Sequence, residues 1–306
     1  MNLGRVLVGY APDDRGEDAL ALAALVARTA DAHLTAVHVH PPAWPAYGPG
    51  KVDAEWIAYL RGQAEEALGR AAARLAELGV PEGSVGVRAH VHRGSGRGLI
   101  EAAVAAGAGL IVAGSAPRGR RGRIAIGSTA DQLLHGSPVP VLLAPRGYAA
   151  DAPAEFERMT IAYWRRRGAG GPLHAAAGFA EALGVPVRLL TLVLRPPGLA
   201  AKFRDAGGVM ERQVARAEED LGRAAGLVGG GRPVERLTAV GTGVAATLGS
   251  VGMLRGEVLA CLSGHHGPLR KVFLGESSGK IVRAAPCPVL VLPSGAGTPA
   301  GRESPG

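Results

Sequence analysis

The residues with the clearest chemical potential form a segment rich in glycine and arginine between Gly114 and Thr129, which follows an apolar strand and precedes a helix. A glycine-rich loop that enters a helix N-terminus offers free backbone N–H groups and the positive end of the helix dipole, and both favour phosphate. Gly127 permits close approach of a phosphate, and the hydroxyl of Ser128 can cap the helix and donate to the ligand. Positive charge is added by Arg118, Arg120, Arg121 and Arg123.

The same segment also has a purely structural interpretation. Its glycines and serine can simply join the fourth strand to the fourth helix, with Gly127 as a turn residue and Ser128 as a cap. A ligand site and a structural connection therefore predict the same residue types at these positions. Both interpretations stay open at the level of sequence.

Two pairs of alternating histidines are the main candidates for metal binding. His38 and His40 form one pair and His90 and His92 the other, and each pair places two rings on one face of a strand, as two metal ligands would. No carboxylate or thiol at supporting sequence spacing accompanies either pair. We therefore predict histidines at the surface ends of strands and no metal site.

The other reactive residue types do not indicate catalysis. Cys261 and Cys287 lie in apolar strand-like runs without CxxC spacing, which favours burial as small hydrophobic side chains. The chain contains no GxSxG motif, no Walker motif and no pair of carboxylates set for acid–base chemistry. We expect a protein that is not an enzyme, with weak ATP hydrolysis as the alternative, and interpret the arginine run 165–167 as a solvated loop.

Composition indicates a globular, basic protein. Of its 306 residues 47% are hydrophobic and only 4% are aromatic, so Ala, Val and Leu must fill the core. The net charge of +8 raises the affinity for polyanions in general. Because this charge is spread along the chain without interleaved aromatic residues, we expect an acidic protein partner rather than specific nucleic acid. No apolar run reaches the ~20 residues that span a bilayer, and no signal sequence is evident, so we expect a cytoplasmic protein without membrane binding.

Strands and helices alternate along the chain, and their order repeats once. Residues 5–10 (RVLVGY) match 158–164 (RMTIAYW) as first strands, and 135–145 (HGSPVPVLLAP) match 284–293 (AAPCPVLVLP) as last strands. This alternation predicts parallel strands with helices on both faces. Right-handed crossovers then give a doubly wound α/β sheet in each half.

The repeat divides the chain into two domains. We place the first at residues 1–147 and the second, more diverged one at 156–294. Residues 295–306 are rich in Gly, Pro and Ser, which predicts a disordered tail.

The loop and the end of the first copy resemble those of universal stress proteins. The nucleotide loop of that family has a glycine, two residues, a second glycine, nine residues and then Gly-Ser or Gly-Thr, and here Gly127-Ser128 follows Gly114 by thirteen residues. The most specific part is the ending GSTADQLLHGSPVPVLLAP, and the resemblance covers nearly the whole chain twice. It implies a tandem universal stress protein: two doubly wound, parallel-sheet domains of the adenine-nucleotide alpha-hydrolase-like type, forming a pseudo-twofold pair.

The resemblance also implies a ligand, ATP, in the first domain only. The residues it places around ATP are Val39 beside the base and, at the phosphates, Gly114, Ser115, Gly127, Ser128 and Thr129. Two positions depart from the family pattern. Pro117 replaces the inner glycine of the loop, which removes an N–H and fixes φ, and Ala11 stands where nucleotide-binding members carry an Asp.

The second copy departs further from the family pattern. Gly275 follows Gly264 by only eleven residues, and Glu276 stands where Ser is expected. A carboxylate at this position repels a triphosphate. Trp164 falls on the Asp position and would fill much of an adenine slot, so we predict no nucleotide in this copy.

For function, the resemblance implies ligand-responsive regulation during stress. The last strands, 139–143 and 287–292, would pair antiparallel and form an internal pseudo-dimer, which also covers an apolar edge otherwise open to aggregation. The tandem chain could dimerise again as a homodimer. The alternative is an interaction scaffold that binds no nucleotide because both sites are degenerate.

Overall fold

The computed structural model describes residues 3–42, 51–165, 169–195, 206–230, 233–262 and 276–293. Within them, two successive series of five strands and four helices follow each other. This confirms the α/β alternation and its repetition that the sequence predicts. The predicted tail at 295–306 lies outside the described residues.

The first series runs from Arg5 to Ala144. Its elements are β1 (Arg5–Gly9), α1 (Asp14–Ala30), β2 (His33–His40), α2 (Lys51–Glu77), β3 (Val85–Val91), α3 (Ser95–Ala106), β4 (Leu110–Gly114), α4 (Ser128–Leu134) and β5 (Val141–Ala144).

The second series runs from Arg158 to Leu292. Its elements are β6 (Arg158–Ala162), α5 (Gly170–Ala182), β7 (Val187–Leu194), α6 (Ala206–Val228), β8 (Glu235–Gly241), α7 (Val244–Ser250), β9 (Glu257–Leu262), α8 (Glu276–Ala284) and β10 (Val289–Leu292).

All ten strands form one sheet, in the order β3-β2-β1-β4-β5-β10-β9-β6-β7-β8. Neighbouring strands are parallel within each series, and β5 and β10 pair antiparallel at the centre. In this central pair Leu290 lies opposite Leu142. The antiparallel pairing of the two last strands is therefore confirmed, and the strand order is the same from either edge towards the centre.

The central strand pair joins the hydrophobic cores of the two copies. All residues of β5 and β10 are buried. Leu142 and Leu290 belong to the core on the face covered by α1, α2, α5 and α6. Leu143 and Val289 belong to the core on the opposite face, under α3, α4, α7 and α8. Because side chains alternate along a strand, both cores continue from one copy into the other.

Helix α1 begins at Asp14, directly after Asp13. The reason is an N-cap: the carboxylate of Asp13 accepts hydrogen bonds from the backbone N–H groups of Arg15 and Gly16 at 3.0 and 3.1 Å. The helix is apolar on most sides, with eleven of its residues buried, because it packs between the sheet and the segment that follows β5.

The segment between the two copies is structured and not an open linker. It contains a 3-10 turn at Tyr148–Ala150, and the rings of Tyr148 and Phe156 are buried in the core. The carboxylate of Asp18 on α1 accepts hydrogen bonds from the N–H groups of Gly147 and Ala149. This contact binds the segment to the first copy.

The amino-terminal edges of the two half-sheets differ in polarity. In the second copy, Arg188 on β7 and Glu257 on β9 form a buried ion pair at 2.7 Å, with the hydroxyl of Thr160 donating to Glu257. Arg158 contacts the other oxygen of Glu257 at 2.9 Å. In the first copy the corresponding edge holds a cavity of about 400 Å³ that Arg5 and His33 help to line.

Candidate functional site

The candidate loop lies at the carboxyl edge of the first half-sheet, between β4 and α4. In open parallel sheets ligands bind beyond the carboxyl ends of the strands, where the strand order reverses. Here the order reverses between β1 and β4, which lie side by side while β2 and β5 flank them. The loop therefore occupies the position at which this fold places a ligand.

Hydrogen bonds at its base hold the loop in shape. The hydroxyl of Ser115, which is buried, accepts a hydrogen bond from the N–H of Ala125 at 2.8 Å. The N–H of Ala116 donates to the carbonyl of Ala125 at 2.9 Å. The hydroxyl of Ser115 therefore stabilises the conformation of the loop by binding the loop's own backbone.

The far side of the loop is attached to the segment that follows β5. The N–H of Gly122 donates to the carbonyl of Arg146 at 2.8 Å, and the N–H of Arg146 donates to the carbonyl of Arg123 at 3.0 Å. The guanidinium of Arg146 also donates to the carbonyl of Gly119 at 2.7 Å. The conformation of the loop is thus linked to the inter-copy segment.

Two of the predicted site glycines are needed for packing. A Cβ on Gly114 would lie 2.1 Å from the carbonyl oxygen of Arg15 at the start of α1. A Cβ on Gly127 would lie 2.9 Å from the Cβ of Ala116. Close contacts inside the protein therefore account for both glycines without a ligand, which is what the structural interpretation of the loop expects.

Thr129 joins the first turns of two helices. Its hydroxyl lies 2.5 Å from the hydroxyl of Ser95, at the start of α3. Nearby, the side-chain oxygen of Gln132 accepts a hydrogen bond from the N–H of Arg97 at 3.1 Å. A Cβ on Gly96 would lie 2.6 Å from the carbonyl oxygen of Thr129, so the two helices approach closely here. Ser95 was missed from sequence, although the run GSGRG at 94–98 offered a signal.

Ser128 and two arginines remain available to a ligand. Ser128 is exposed at the first position of α4, after the N-cap Gly127, which has no side chain to cap the helix. Within the described part of the chain, the side chains of Ser128, Arg118 and Arg120 make no hydrogen bond or ion pair. The carboxyl edge of the first half-sheet therefore has one hydroxyl donor and two positive charges that bind no described residue.

Val39 and Ala11 are the two positions that the family pattern places around the adenine base. Val39 is half-buried at the end of β2, and a Cβ on Gly98 of α3 would lie 2.7 Å from its side chain. Ala11 follows β1 at the place of the family Asp. Asp13 cannot take that role in this structure, because its carboxylate caps α1 and pairs with Arg15 at 2.5 Å.

The second histidine pair contacts a carboxylate that sequence spacing did not reveal. Glu101 on α3 lies 3.1 Å from Nε2 of His90 and 3.5 Å from Nε2 of His92. The Nδ1 atom of His92 accepts a hydrogen bond from the N–H of Gly94 at 2.8 Å. No group of three or more His, Cys, Asp or Glu side chains among the described residues is arranged to hold a metal ion. His38 places its Nδ1 3.0 Å from the carbonyl oxygen of Tyr10.

The structure describes only part of the corresponding edge in the second copy. Residues 263–275 lie outside the described residues, and they include Gly264 and Gly275. Helix α8 begins at Glu276, as α4 begins at Ser128. Glu276 is exposed and pairs with Lys280 at 2.8 Å, which lowers the pKa of Glu276. Trp164 is half-buried and packs against the core on the α7 face.

The cysteines are buried, as the sequence predicts. Burial raises the pKa of the Cys261 thiol to about 12 and raises that of Cys287 as well. Both thiols are therefore poor nucleophiles at neutral pH.

Of the predicted arginine run 165–167, only Arg165 is described. It is exposed and lies 3.5 Å from Asp220. In the described part of the chain, no helix combines the length and apolarity needed to cross a membrane.

The sheet order and the alternating helices define a doubly wound α/β protein, and comparison with known proteins agrees. The model of the Universal stress protein family matches residues 2–145 and again residues 157–293. Universal stress proteins of Mycobacterium bovis and Mycobacterium tuberculosis are 36% identical over 301 residues, covering 94% of this chain and 99% of theirs. The chain therefore belongs to the universal stress protein family, as a tandem member.

Solved structures support the same fold. A universal stress protein from Archaeoglobus fulgidus aligns with a TM-score of 0.62 at 18% identity, covering 96% of this chain and 100% of that one. A functionally unknown protein from Pseudomonas aeruginosa PAO1 aligns with a TM-score of 0.59 at 18% identity, covering 95% and 93% of the two chains. At this level of identity the likeness concerns the fold alone.

Proposed function

We propose that this chain is a ligand-responsive regulatory protein of the stress response that binds an adenine nucleotide, ATP, in its first copy only. Membership of the universal stress protein family supports the regulatory role. The resemblance of the loop to the family's nucleotide loop supports the choice of ligand. The domains of this protein would be residues 1–147 and 156–294, and it would act in the cytoplasm.

The observation that carries the proposal is the preformed loop beside an unused hydroxyl. Ser115 and Ala125 hold the base of the loop, so little ordering entropy is lost when a ligand binds. Ser128 begins a helix whose N-cap is a glycine, which leaves N–H groups of the first turn free to meet an anion. Gly114, Gly127 and Thr129 would shape the phosphate site, and Val39 would lie beside the base.

The charge distribution around the loop supports an anionic ligand. Between residues 102 and 130 the chain has four arginines and no Asp or Glu. Arg118 and Arg120 are exposed on this stretch and make no ion pair with any described residue. Their field would raise the local concentration of a polyphosphate and strengthen its binding.

The first carboxylate after β1 is already engaged within the fold. Asp13, the nearest acidic residue after β1, is engaged as the cap of α1. We therefore propose binding without turnover, with hydrolysis of ATP at most weak.

The competing function is a scaffold that recruits an acidic protein through the arginine loop. Three observations favour it: Ala11 lacks the family carboxylate, Pro117 lacks an N–H, and close packing alone accounts for Gly114. The two functions differ in whether small phosphorylated molecules accompany the purified protein.

The test is to denature the purified protein and identify the released small molecules by chromatography and mass spectrometry. Ser128→Asp places a carboxylate at the loop, and we expect it to weaken ATP binding about tenfold or more. Ser277→Asp makes the same change in the first turn of α8 in the second copy and serves as the matched control. ATP that is lost in Ser128→Asp and kept in Ser277→Asp supports the proposal. An empty protein whose melting temperature does not change with added ATP would leave the scaffold function.

A further inference from the structure

A cavity of about 400 Å³ lies at the amino-terminal edge of the first half-sheet, at the opposite end of the strands from the arginine loop. Its volume falls within the range of small-molecule sites, about 300–1,000 Å³. The lining combines three polar side chains of β1 and β2 with apolar residues, and includes Arg5, His33, Thr35, Leu7, Ala106 and Ala108.

The repeat of the fold identifies the same place in the second copy. Arg5 is the first residue of β1, and Arg158 is the first residue of β6. Each guanidinium donates at 3.0 Å to a backbone carbonyl where the third helix of its copy ends. The acceptor is Ala106 at the end of α3 in the first copy and Gly252, two residues after α7, in the second. The two arginines therefore occupy equivalent positions.

Two carboxylates surround this arginine in the second copy. Arg158 contacts Glu257 at 2.9 Å and Glu235 at 3.0 Å. By strand register, the position of Glu257 corresponds to Gly109, directly before β4. The position of Glu235 corresponds to Gly86 in β3. The first copy therefore has the arginine without either carboxylate partner.

The polar side chains of the cavity are available to a ligand. Arg5 contacts the carbonyl of Ala106, and within the described chain the side chains of His33 and Thr35 make no hydrogen bond or ion pair. Gly86 lies beside both of them, since a Cβ there would be 3.2 Å from Nε2 of His33 and 3.4 Å from the hydroxyl oxygen of Thr35. A guanidinium, an imidazole and a hydroxyl thus meet where the second copy supplies carboxylates.

We propose that this cavity binds a small monocarboxylate with a short aliphatic chain, which takes the place that the two glutamates occupy in the second copy. Its carboxylate would pair with Arg5, because a guanidinium binds a carboxylate through two parallel hydrogen bonds. His33 and Thr35 would donate to the same oxygens. The aliphatic chain would lie against Leu7 and Ala108, which removes apolar surface from water.

One negative charge matches this site. The second copy sets its carboxylates against two guanidinium groups, those of Arg158 and Arg188, whereas Thr35 stands at the position of Arg188 in the first copy. No acidic residue is among the described lining residues, and positions 1 and 2 hold Met and Asn, which carry no carboxylate side chain. A monoanion therefore neutralises Arg5, while a dianion would bring a second charge without a partner.

The test uses butyrate as the probe and measures its binding by calorimetry on the full chain. Butyramide has nearly the same size and shape without the charge, and methyl phosphate replaces the carboxylate by a phosphate. The ring signals of His33 in an NMR spectrum, assigned by their loss in His33→Gln, report contact inside the cavity.

We expect butyrate to bind and to shift the His33 signals, and Arg5→Gln to weaken binding about tenfold. Arg28→Gln is the matched control. Arg28 is also exposed and also donates to one backbone carbonyl, that of Leu78, but it lies on α1 at the opposite face of the sheet. This variant should leave the affinity for butyrate unchanged.

A second pair of variants supplies the missing carboxylate from the protein itself. Gly86→Glu places it at the position of Glu235, and we expect butyrate binding to be lost because the new side chain pairs with Arg5. Gly86→Gln has the same size without the charge and should lose less affinity. A Cβ at Gly86 meets only the side chains of His33 and Thr35, so both variants are expected to fold.

Five results would overturn the proposal. They are no binding of butyrate below about 5 mM, equal binding of butyramide, equal losses in Arg5→Gln and Arg28→Gln, equal losses in the two Gly86 variants, and tighter binding of methyl phosphate than of butyrate. The outcome is separate from the ATP test, because the cavity and the arginine loop lie at opposite edges of the half-sheet and share no residue.

Discussion

Asp18, in the second turn of the first helix, accepts a hydrogen bond at 2.7 Å from the backbone N–H of Gly147, 129 residues further along the chain. The other carboxylate oxygen accepts from the N–H of Ala149 at 2.8 Å. Gly147 adopts φ +82°, a left-handed conformation that favours glycine. A single buried side chain thus determines how the chain leaves the first copy, next to the loop proposed to hold ATP.

Replacing Asp18 by Ala should destabilise the protein by about 2–3 kcal/mol, because two N–H groups lose a charged acceptor. The change also leaves a small void against the inter-copy segment. Urea unfolding of the full chain measures the difference. Asp14→Ala, one turn earlier and exposed, is the control and should cost less than about 1 kcal/mol. Equal losses in the two variants would mean that the contact at Gly147 adds no stability.

The pH dependence of Asp18 has a defined sign. Burial raises the pKa of this carboxyl above its usual value of 3.8, and the two backbone hydrogen bonds only partly oppose that effect. A raised pKa in the folded state means that the folded protein holds the proton more tightly than the unfolded chain. Its contribution to stability is therefore complete below pH 3.8 and decreases as the pH rises through the folded-state pKa.

Asp18→Asn removes this titration. The stability of the wild type relative to Asp18→Asn should be greatest near pH 4 and decrease towards pH 7. Free energies of unfolding for both proteins across this range provide the measurement. A difference that increases with pH would instead mean that the hydrogen bonds dominate and lower the pKa of Asp18.

Most of the fold could be predicted from the sequence because its determinants are local. Apolar strands separated by helical periodicity are readable within short windows, and the repeated ending of each copy identified β5 and β10. The contact between Asp18 and Gly147 could not be predicted, because 129 residues separate its partners. For the same reason, the burial of Tyr148 in the segment after β5 could not be predicted.

The candidate site was less predictable, since residue types alone do not distinguish packing from binding. Gly114 matches the family loop. However, a side chain at this position would collide with the carbonyl oxygen of Arg15 at the start of α1, so packing alone requires a glycine. Ser95 meets Thr129 only because α3 and α4 lie side by side. Glu101 reaches His90 and His92 from a neighbouring helix, a contact that no strand spacing could indicate.

Gly114→Ala separates packing from ligand binding. A Cβ 2.1 Å from the carbonyl oxygen of Arg15 forces the backbone to move, at a cost of about 1–3 kcal/mol. We expect the melting temperature to fall in the absence of any nucleotide. Gly69→Ala, at a helical position with open space around it, is the comparison and should be neutral or slightly stabilising. An unchanged melting temperature for Gly114→Ala would mean that the glycine is not needed for packing.

The two thiols should be inert in the folded protein. Burial raises the pKa of Cys261 to about 12, so almost no thiolate exists at pH 8, and Cys287 is equally enclosed. A thiol reagent such as dithionitrobenzoate should react with neither cysteine in buffer and with both in concentrated urea. Rapid release of one chromophore equivalent from the folded protein would show that the structure around one of the two cysteines opens readily.

The buried ion pair between Arg188 and Glu257 should be costly to break from either side. Both side chains are almost fully enclosed, and Thr160 and the carbonyl of Gly252 complete the hydrogen bonds. Arg188→Met removes one of two cationic partners of the buried Glu257, which keeps Arg158 at 2.9 Å, and Glu257→Gln leaves the buried Arg188 with Glu235 at 3.8 Å. We expect each change to cost up to about 3–5 kcal/mol. The double variant removes both charges and should cost less than the sum of the two single changes, since no uncompensated charge remains.

The wild type, the two single variants and the double variant form a double-mutant cycle, and urea unfolding measures the stability of each of these four proteins. Arg158 would then face no carboxylate at position 257 in the double variant, but it keeps Glu235 at 3.0 Å and stays partly solvated. Additive losses would mean that the two charges are stabilised independently by solvent or by the surrounding backbone. If the double variant loses less stability than the sum of the single variants, the two charges stabilise the second copy as a pair. This pair then lies at the amino-terminal edge of the second half-sheet, where the first half-sheet has a cavity.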